Sequence, residues 1–282
     1  MKVIQFVKQN TELVASALAL ALFIGVALLG EAFTPYTIKD KPGEPLQAPS
    51  DEFPLGTDHV GRCNLTVLIH GAKISLRIGI CSGVITVLLL GVPIGFLSGY
   101  LGGRVDEALM LFTDLFMSIP RIPFIIVIAG LLSPSTLNTI IVIGITTWPS
   151  VARMIRSETF RIKKSGYVDA SVGFGAGELH LFIWHFLPTL TPLLFSSLLM
   201  VTGSAIMTEA GLAFLGIGDP TTHSWGMSIR LLINRPTSYM TKAWMWRLLP
   251  QILAISGLLL ALASLGNSIE KISGVSRSGK YE

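Results

Sequence analysis

Charge is scarce in this 282-residue chain. Asp, Glu, Lys and Arg make up 13% of it, against about 25% in a typical soluble domain, while hydrophobic residues make up 51%. With a mean hydropathy of +0.65, the composition excludes a single soluble domain. Cysteine is nearly absent. Cys63 falls in a polar segment and Cys81 in an apolar run, so no disulfide framework and no CxxC or His-spaced metal set is expected. There is no G-x-x-x-x-G-K-[ST] phosphate loop, no H-E-x-x-H and no G-x-S-x-G. ATP binding by that route and the common intramembrane metalloprotease and serine-hydrolase chemistries are removed. His59, His70, His180, His185 and His223 are scattered without ligand spacing. Gly173-Phe-Gly-Ala-Gly177 follows no strand, so a helix break fits it better than a dinucleotide loop.

What is present is a series of long apolar runs, each near the roughly 18 residues that indicate a bilayer span. Six are expected: Leu13 to Phe33; between Arg77 and Arg104; from Ala108 through Asp114 and Arg121; from Ser135 to Arg153, set off by the Ser133-Pro134-Ser135 turn; Pro188 to Leu215; and between Arg247 and Glu270. The first is longer than the 7–15 residues of a signal-peptide core and reads as a retained anchor.

Basic residues orient the chain. With the N-terminus inside, eleven Lys and Arg are cytoplasmic: Lys2, Lys8, Arg104, Arg153, Arg156, Arg161, Lys163, Lys164, Lys271, Arg277 and Lys280. Seven lie in the longer outer segments: Lys39, Lys41, Arg62, Arg230, Arg235, Lys242 and Arg247. Lys73 and Arg77 sit at an outer edge. The bias puts both termini inside, and the net charge of +4 is a topology signal rather than a nucleic-acid footprint.

Pro35, Pro42, Pro45, Pro49 and Pro54 make the first outer segment, about 34–73, extended and irregular. Asn64-Leu-Thr66 matches a glycosylation sequon, a pattern that arises easily by chance. Trp225, Tyr239, Trp244 and Trp246 in the second outer segment read as interfacial anchors.

Between spans four and five lies a polar, Gly-broken, helix-compatible stretch from Tyr167 to Pro188, just after the densest basic cluster. Asp169 favours a short helix start. Gly175 and Gly177 let the chain turn, a second amphipathic turn runs from Leu179 to Phe186, and Pro188 suits the first turn of the next span. The residues alone leave two readings open, a docking helix for a soluble partner and a helix that anchors the chain at the interface. Asp114, Arg121 and Glu209 are the charges inside spans. Such residues face a bundle interior or an aqueous path. Asp114 and Arg121 are seven apart, hence on one helical face, in a helix kinked by Pro120 and Pro123.

The same stretch resembles the docking loop of ABC-importer permeases, which reads E-A-A, three residues, G, nine residues, I/F, two residues, L-P. Asp169, Ala170, Ser171, Gly175 and Leu187-Pro188 match it. Phe53-Pro-Leu-Gly-Thr-Asp-His-Val-Gly-Arg62 with Gly71-Ala-Lys-Ile-Ser-Leu76 is similar to the P-L-G-T-D-x-x-G-R-D … G-A-R-x-S-L signature of the dipeptide/oligopeptide branch, with Cys63 where Asp is usual. Trp148-Pro-Ser-Val-Ala-Arg153 resembles W-x-x-x-A-R. Glu209 to Gly218, followed by Trp225-Gly226, resembles E-x-x-L-S-F-L-G-x-G … W-G. After Asn267 the branch's G-D-x-L-R-D-x-L-D-P is replaced by Ser-Ile-Glu-Lys-Ile-Ser-Gly.

The resemblance implies an all-α polytopic membrane protein of about six transmembrane helices with a MetI-like fold, similar to the branch's second (C-type) permease. It implies residues 1–70 as anchor and outer loop, 71–272 as the permease core with its docking loop near 165–187, and 273–282 as a short tail. A homologous permease, two ATPase subunits and an extracytoplasmic substrate-binding protein are the implied partners, in the cell membrane. The chain itself is implied to need no cofactor, with ATP and Mg on the ATPase subunits, and to be no enzyme. The implied docking residues are Tyr167, Asp169, Ala170, Ser171, Gly175, Ala176, Leu187 and Pro188; the implied path lining is Asp114, Arg121 and Glu209. Peptides are the implied cargo. Nickel or oligosaccharides stay open within the class. A self-contained secondary transporter or channel would show inverted repeats with paired broken helices, and none is visible.

Overall fold

The computed structural model describes residues 10–235 and 242–273. Lys2, Lys8, Tyr239, Arg277 and Lys280 lie outside the described residues. Among those described there is no β-strand, and the order is helical throughout. We number the helices α1 (Thr11–Leu29), α2 (Asn64–Val84), α3 (Val92–Leu101), α4 (Gly103–Ser118), α5 (Arg121–Leu131), α6 (Thr136–Lys163), α7 (Gly166–Gly173), α8 (Glu178–Leu181), α9 (Leu187–Leu215), α10 (Trp225–Ile233) and α11 (Ala243–Ser273). A π-helical stretch, Ile85–Gly91, joins α2 to α3, and a second, Phe182–Phe186, joins α8 to α9.

Four continuous helical stretches are long and apolar enough to cross a membrane: Thr11–Phe33, Asn64–Leu101, Glu178–Leu215 and Ala243–Ser273. A fifth exists if α4 and α5 count as one bent span. The expected fourth span is α6. At 28 residues it is about 42 Å long, and its hydroxyls, Asn138 and Arg153 dilute its apolar character. Its middle is buried among other helices: Ile143, Trp148, Val151, Ala152 and Ile155 are all inaccessible. A helix shielded from lipid need not be apolar all round. The opposite case is α1, whose apolar window is only 17% buried against 56% for Glu178–Leu215. It lies at the periphery, and α9 at the centre.

Hydroxyls tie the central helices together. Ser82 Oγ donates to the Ile140 carbonyl at 3.1 Å and Thr86 Oγ1 to the Gly144 carbonyl at 2.9 Å, interhelical bonds of the kind that hold membrane bundles. At one end of the bundle Glu31 accepts from Lys73 Nζ at 2.7 Å and pairs with His70 at 2.8 Å, clamping α1 to α2. At the other end Lys271 of α11 meets Glu12 of α1 at 3.1 Å.

Three expectations are corrected. The single kinked third span is two helices bent by 83°. Ile119 precedes Pro120, and that position is driven out of the α region. It sits at φ −86°, ψ 126°, so Asp114 and Arg121 share no helical face. The helix that contains the second span starts earlier than the apolar run, at Asn64. Asn64 is buried, its amide donating to the Leu55 carbonyl at 2.8 Å, which leaves no room for a glycan. Trp225 is not an interfacial anchor. It is 1% exposed, with Nε1 donating to the Leu68 carbonyl at 2.8 Å and its ring over Gly71.

The proline-rich segment is irregular, as expected, yet it is fastened to the bundle. Asp58 Oδ1 accepts the Val60 and Arg62 amides at 2.8 and 3.0 Å. Arg62 Nη1 then donates to His223 Nε2 at 2.9 Å, and Arg247 Nη2 approaches His59 Nδ1 at 3.4 Å. A ring nitrogen that accepts from arginine must be unprotonated. Burial, and after it Arg62, hold His223 below the usual histidine range. Burial also lowers His59, against the pull of Asp58 and with Arg235, Arg247 and Arg62 adding to it. The unfolded chain therefore takes up more protons than the folded one below about pH 6.5, and stability falls as the pH drops through that point. The melting temperature of the solubilised protein should decrease between about pH 7.5 and 5.5, and His223→Gln should flatten part of that slope. An equal slope in both proteins would show that this contact is not the titrating one.

Candidate docking and pathway sites

The basic end of the bundle carries two short arms, α7 and α8. After α6 ends, the Ser165 carbonyl accepts from Val168 and Asp169 at 3.0 and 3.2 Å and starts α7. Asp169 lies in the first turn, where a carboxylate meets the positive end of the helix. The helix closes with the Ala176 amide on the Ser171 carbonyl at 3.0 Å and the Gly175 amide on the Val172 carbonyl at 2.9 Å. This paired closure needs a left-handed residue at its corner, and Gly175 supplies it with φ +83°. The chain re-enters helix at Glu178. The widened π turn 182–186 comes just before Pro188, which cannot donate to the residue four before it.

The arms are fixed by what they bury. Val168, Leu181 and Phe186 pack with Ile162 of α6 and Leu190 and Leu193 of α9. Phe96 and Tyr100 of α3 meet Phe186 edge-on at 5.4 and 5.5 Å, and Phe96 meets Phe182 at 4.8 Å. Each fully buried side chain of this size contributes about 1.5–3 kcal/mol. Ser171 Oγ and His185 Nε2, 3.0 Å apart, bridge the arms. The two-armed element is thus welded to three long helices at once.

Of the sequence-derived docking residues, Tyr167, Asp169, Ala170, Gly175, Leu187 and Pro188 are exposed, while Ser171 and Ala176 are half-buried at the joint. Beside them stands an apolar surface: Phe174 is 93% exposed, and Val172, Leu179 and Trp184 are open as well. Large exposed apolar side chains gathered in one short segment suit contact with a partner protein or with the membrane surface. The residues that sequence reasoning missed are the buried anchors Val168, Leu181 and Phe186. Their apolar spacing around the Gly-rich turn is the signal that could have found them.

The span charges are not brought together. Asp114 is exposed and paired with Arg153 of α6. Glu209 is 4% exposed, and its Oε1 accepts from Ser224 Oγ at 2.6 Å. The same Ser224 hydroxyl accepts the Met227 amide at the start of α10, so Glu209 faces the interior of this chain and secures α10. Arg121 is half-buried and faces α9, its guanidinium donating to Thr208 Oγ1 at 3.2 Å and Ser204 Oγ at 3.4 Å. It borders a cavity of about 240 Å³. A second cavity, about 590 Å³, is bordered by Arg153, Glu158 and Glu270, and Met117 and Ser150 line both.

Residues 91–271 match the family described as binding-protein-dependent transport system inner membrane component. The chain belongs to that family. It is similar to the di/tripeptide transport system permease protein DppC of Pseudomonas aeruginosa (strain UCBPP-PA14), 32% identical over 265 residues, which cover 91% of this chain and 84% of that one. It is also similar to the nickel transport system permease protein NikC of Escherichia coli (strain K12), 33% identical over 213 residues, covering 74% and 76%. Among solved structures, a chain of the MetNI methionine ABC transporter in inward-facing conformations has a TM-score of 0.54 and 18% identity, covering 72% of this chain and 96% of that one. That likeness concerns the fold, which is the MetI-like helical fold expected from the sequence. As a member of the family the chain is the multi-pass membrane component of a transport system, not its enzyme.

Proposed function

We propose that this family member is one of two permease subunits lining the path of an ATP-driven importer of di- and oligopeptides. The observation that carries the reading is the two-armed element 165–188, rigidly joined to α3, α6 and α9 and presenting Phe174, Leu179 and Trp184 outward. ATPase subunits holding ATP and Mg dock there. When they close, the arms move as one body, and the three helices tilt with them, switching the path between its two openings. A binding protein delivers the solute at the opposite end, beside the fastened loop 34–63. Both termini are cytoplasmic, which places the arms where ATP is found. Peptide cargo is supported by the DppC relative, whose match extends over more of this chain than the NikC match does.

The test uses tagged protein purified from cells expressing the whole system. ATPase subunits should co-elute, and a cysteine placed near Lys164 should resist an impermeant thiol reagent added from outside while one near Lys41 reacts. A chain that elutes alone and transports alone, or the reverse labelling pattern, would overturn the reading.

A further inference from the structure

We propose that Arg121 receives the carboxylate of the transported solute, so that this path selects a carboxylate-bearing molecule over a free metal cation. The inference rests on the importer reading above and adds the recognition chemistry inside the membrane.

Arg121 is a cation without a counterion among the described residues. Its hydrogen-bond partners there are two hydroxyls, at 3.2–3.5 Å, and its Nε is buried with no partner at all. Among the described residues no carboxylate bonds to Arg121: Asp114 pairs with Arg153, Asp106 with Arg156, Glu270 accepts from Ser196, and Glu209 accepts from Ser224 through Oε1, its Oε2 having no partner. A charged side chain within a span is costly and persists where it faces a water-filled cavity or a partner. Arg121 has the cavity, bordered by Phe116, Met117, Phe124, Thr146, Thr147 and Ser150.

Its position strengthens the field. Arg121 is the first residue of α5, the positive end of that helix, where a cation is placed against the local dipole and an anion is favoured. The 83° break at Ile119 and Pro120 is what presents this helix start to the cavity rather than hiding it inside a continuous span. A guanidinium fork matches a carboxylate in bidentate fashion. A peptide brings such a carboxylate at its C-terminus. A bare divalent metal ion would meet a like charge there.

The second cavity shares Met117 and Ser150 with the first and carries Arg153, Glu270 and the Arg161-paired Glu158 on its border, so the path continues past Arg121 into a site of mixed charge.

The experiment reconstitutes the complete transporter, with its ATPase subunits and binding protein, in proteoliposomes. It compares Ala-Phe with its C-terminal amide, each at a concentration that saturates the binding protein. The quantity read is the acid-to-amide ratio of transport rates in wild type against Arg121→Gln. The binding protein is the same in both, so its own preference cancels. Loss of a charge-assisted hydrogen bond should lower the ratio about tenfold, through slower transport of the acid. Equal slowing of both peptides, or no change, overturns the inference and leaves Arg121 as a packing residue. Arg121→Lys keeps the charge without the fork and should lower the ratio by a smaller factor. It decides the matter if the Gln variant does not assemble, an unchanged ratio again overturning the proposal. Wild-type vesicles that move neither peptide but accumulate nickel would sink the peptide reading itself, and this inference with it. That result differs from peptides moving with an unaltered ratio.

Discussion

Gly175→Arg should leave the membrane bundle folded and abolish its coupling to the ATPase. Gly175 sits at φ +83° at the corner that closes α7, and a residue with a Cβ in that conformation costs about 1–2 kcal/mol. Nothing lies within 4 Å of the position a Cβ would take, so no clash inside this chain adds to that cost. The spans should insert and pack as before. The change falls instead on the surface that Phe174 and Leu179 present, where a long cationic side chain would stand in the contact. Gly175→Ala separates the two causes, because it carries the same backbone strain with almost no bulk. In the reconstituted complex, Gly175→Ala should retain most solute-stimulated ATP hydrolysis. Gly175→Arg should either lose the ATPase subunits on purification or hydrolyse ATP without response to solute. Wild-type coupling in the Arg variant would mean that force enters the membrane elsewhere, and the reading of 165–188 as a docking element would fall.

Features set by local chemistry are legible in the residues themselves. The apolar run from Pro188 to Leu215 carries a single charge, Glu209, and its start is marked by proline, and α9 runs from Leu187 to Leu215. Ser133-Pro134-Ser135 ends one helix and begins the next, with Ser135 Oγ accepting the Asn138 amide at 3.1 Å. The turn at Gly175 follows from glycine alone. Relations between distant residues are not legible in the same way. The seven-residue spacing of Asp114 and Arg121 presupposes a continuous helix, and the proline geometry at Ile119 removes that premise. Trp225 resembles an interfacial aromatic because its burial depends on a helix, α10, that the second outer segment does not announce. Asp114 stands out as an isolated charge along the chain, whereas its partner Arg153 lies 39 residues away and reads by itself only as a topology signal. A stripe of glycines, Gly91, Gly95 and Gly99, is hidden among so many apolar residues, although its four-residue spacing puts all three on one face.

That stripe sets the largest stability effect expected in the protein. Gly95→Leu should prevent α3 and α6 from packing, so that little folded protein is recovered. A Cβ on Gly95 would press into the carbonyl oxygen of Ala152 and stand 2.9 Å from Ile155 Cβ. One on Gly99 would lie 2.6 Å from the Arg156 carbonyl oxygen, and one on Gly91 2.8 Å from Val151. The obstacles at Gly95 and Gly99 include backbone atoms, which cannot turn aside as a flexible side chain can. Helices in a membrane associate by close approach of small residues, since lipid is as apolar as leucine and little hydrophobic force holds them together. Overpacking typically costs about 1–3 kcal/mol, and backbone against backbone belongs at the upper end or beyond. The same helix pair carries Phe96 and Tyr100 on one side and Ile162 on the other, which seat the two short arms α7 and α8. Unlike Gly175→Arg, then, Gly95→Leu should lose folding and coupling together. Gly130→Leu is the matched control. Gly130 lies in α5 with nothing within 4 Å of its Cβ position, and leucine has the higher helix propensity by about 0.5–1 kcal/mol. Yield, monodispersity in detergent and melting temperature should fall sharply for Gly95→Leu and stay near wild type for Gly130→Leu. If the two variants behave alike, α3 and α6 do not approach through this stripe, and the rigid seat of the arms α7 and α8 has another origin.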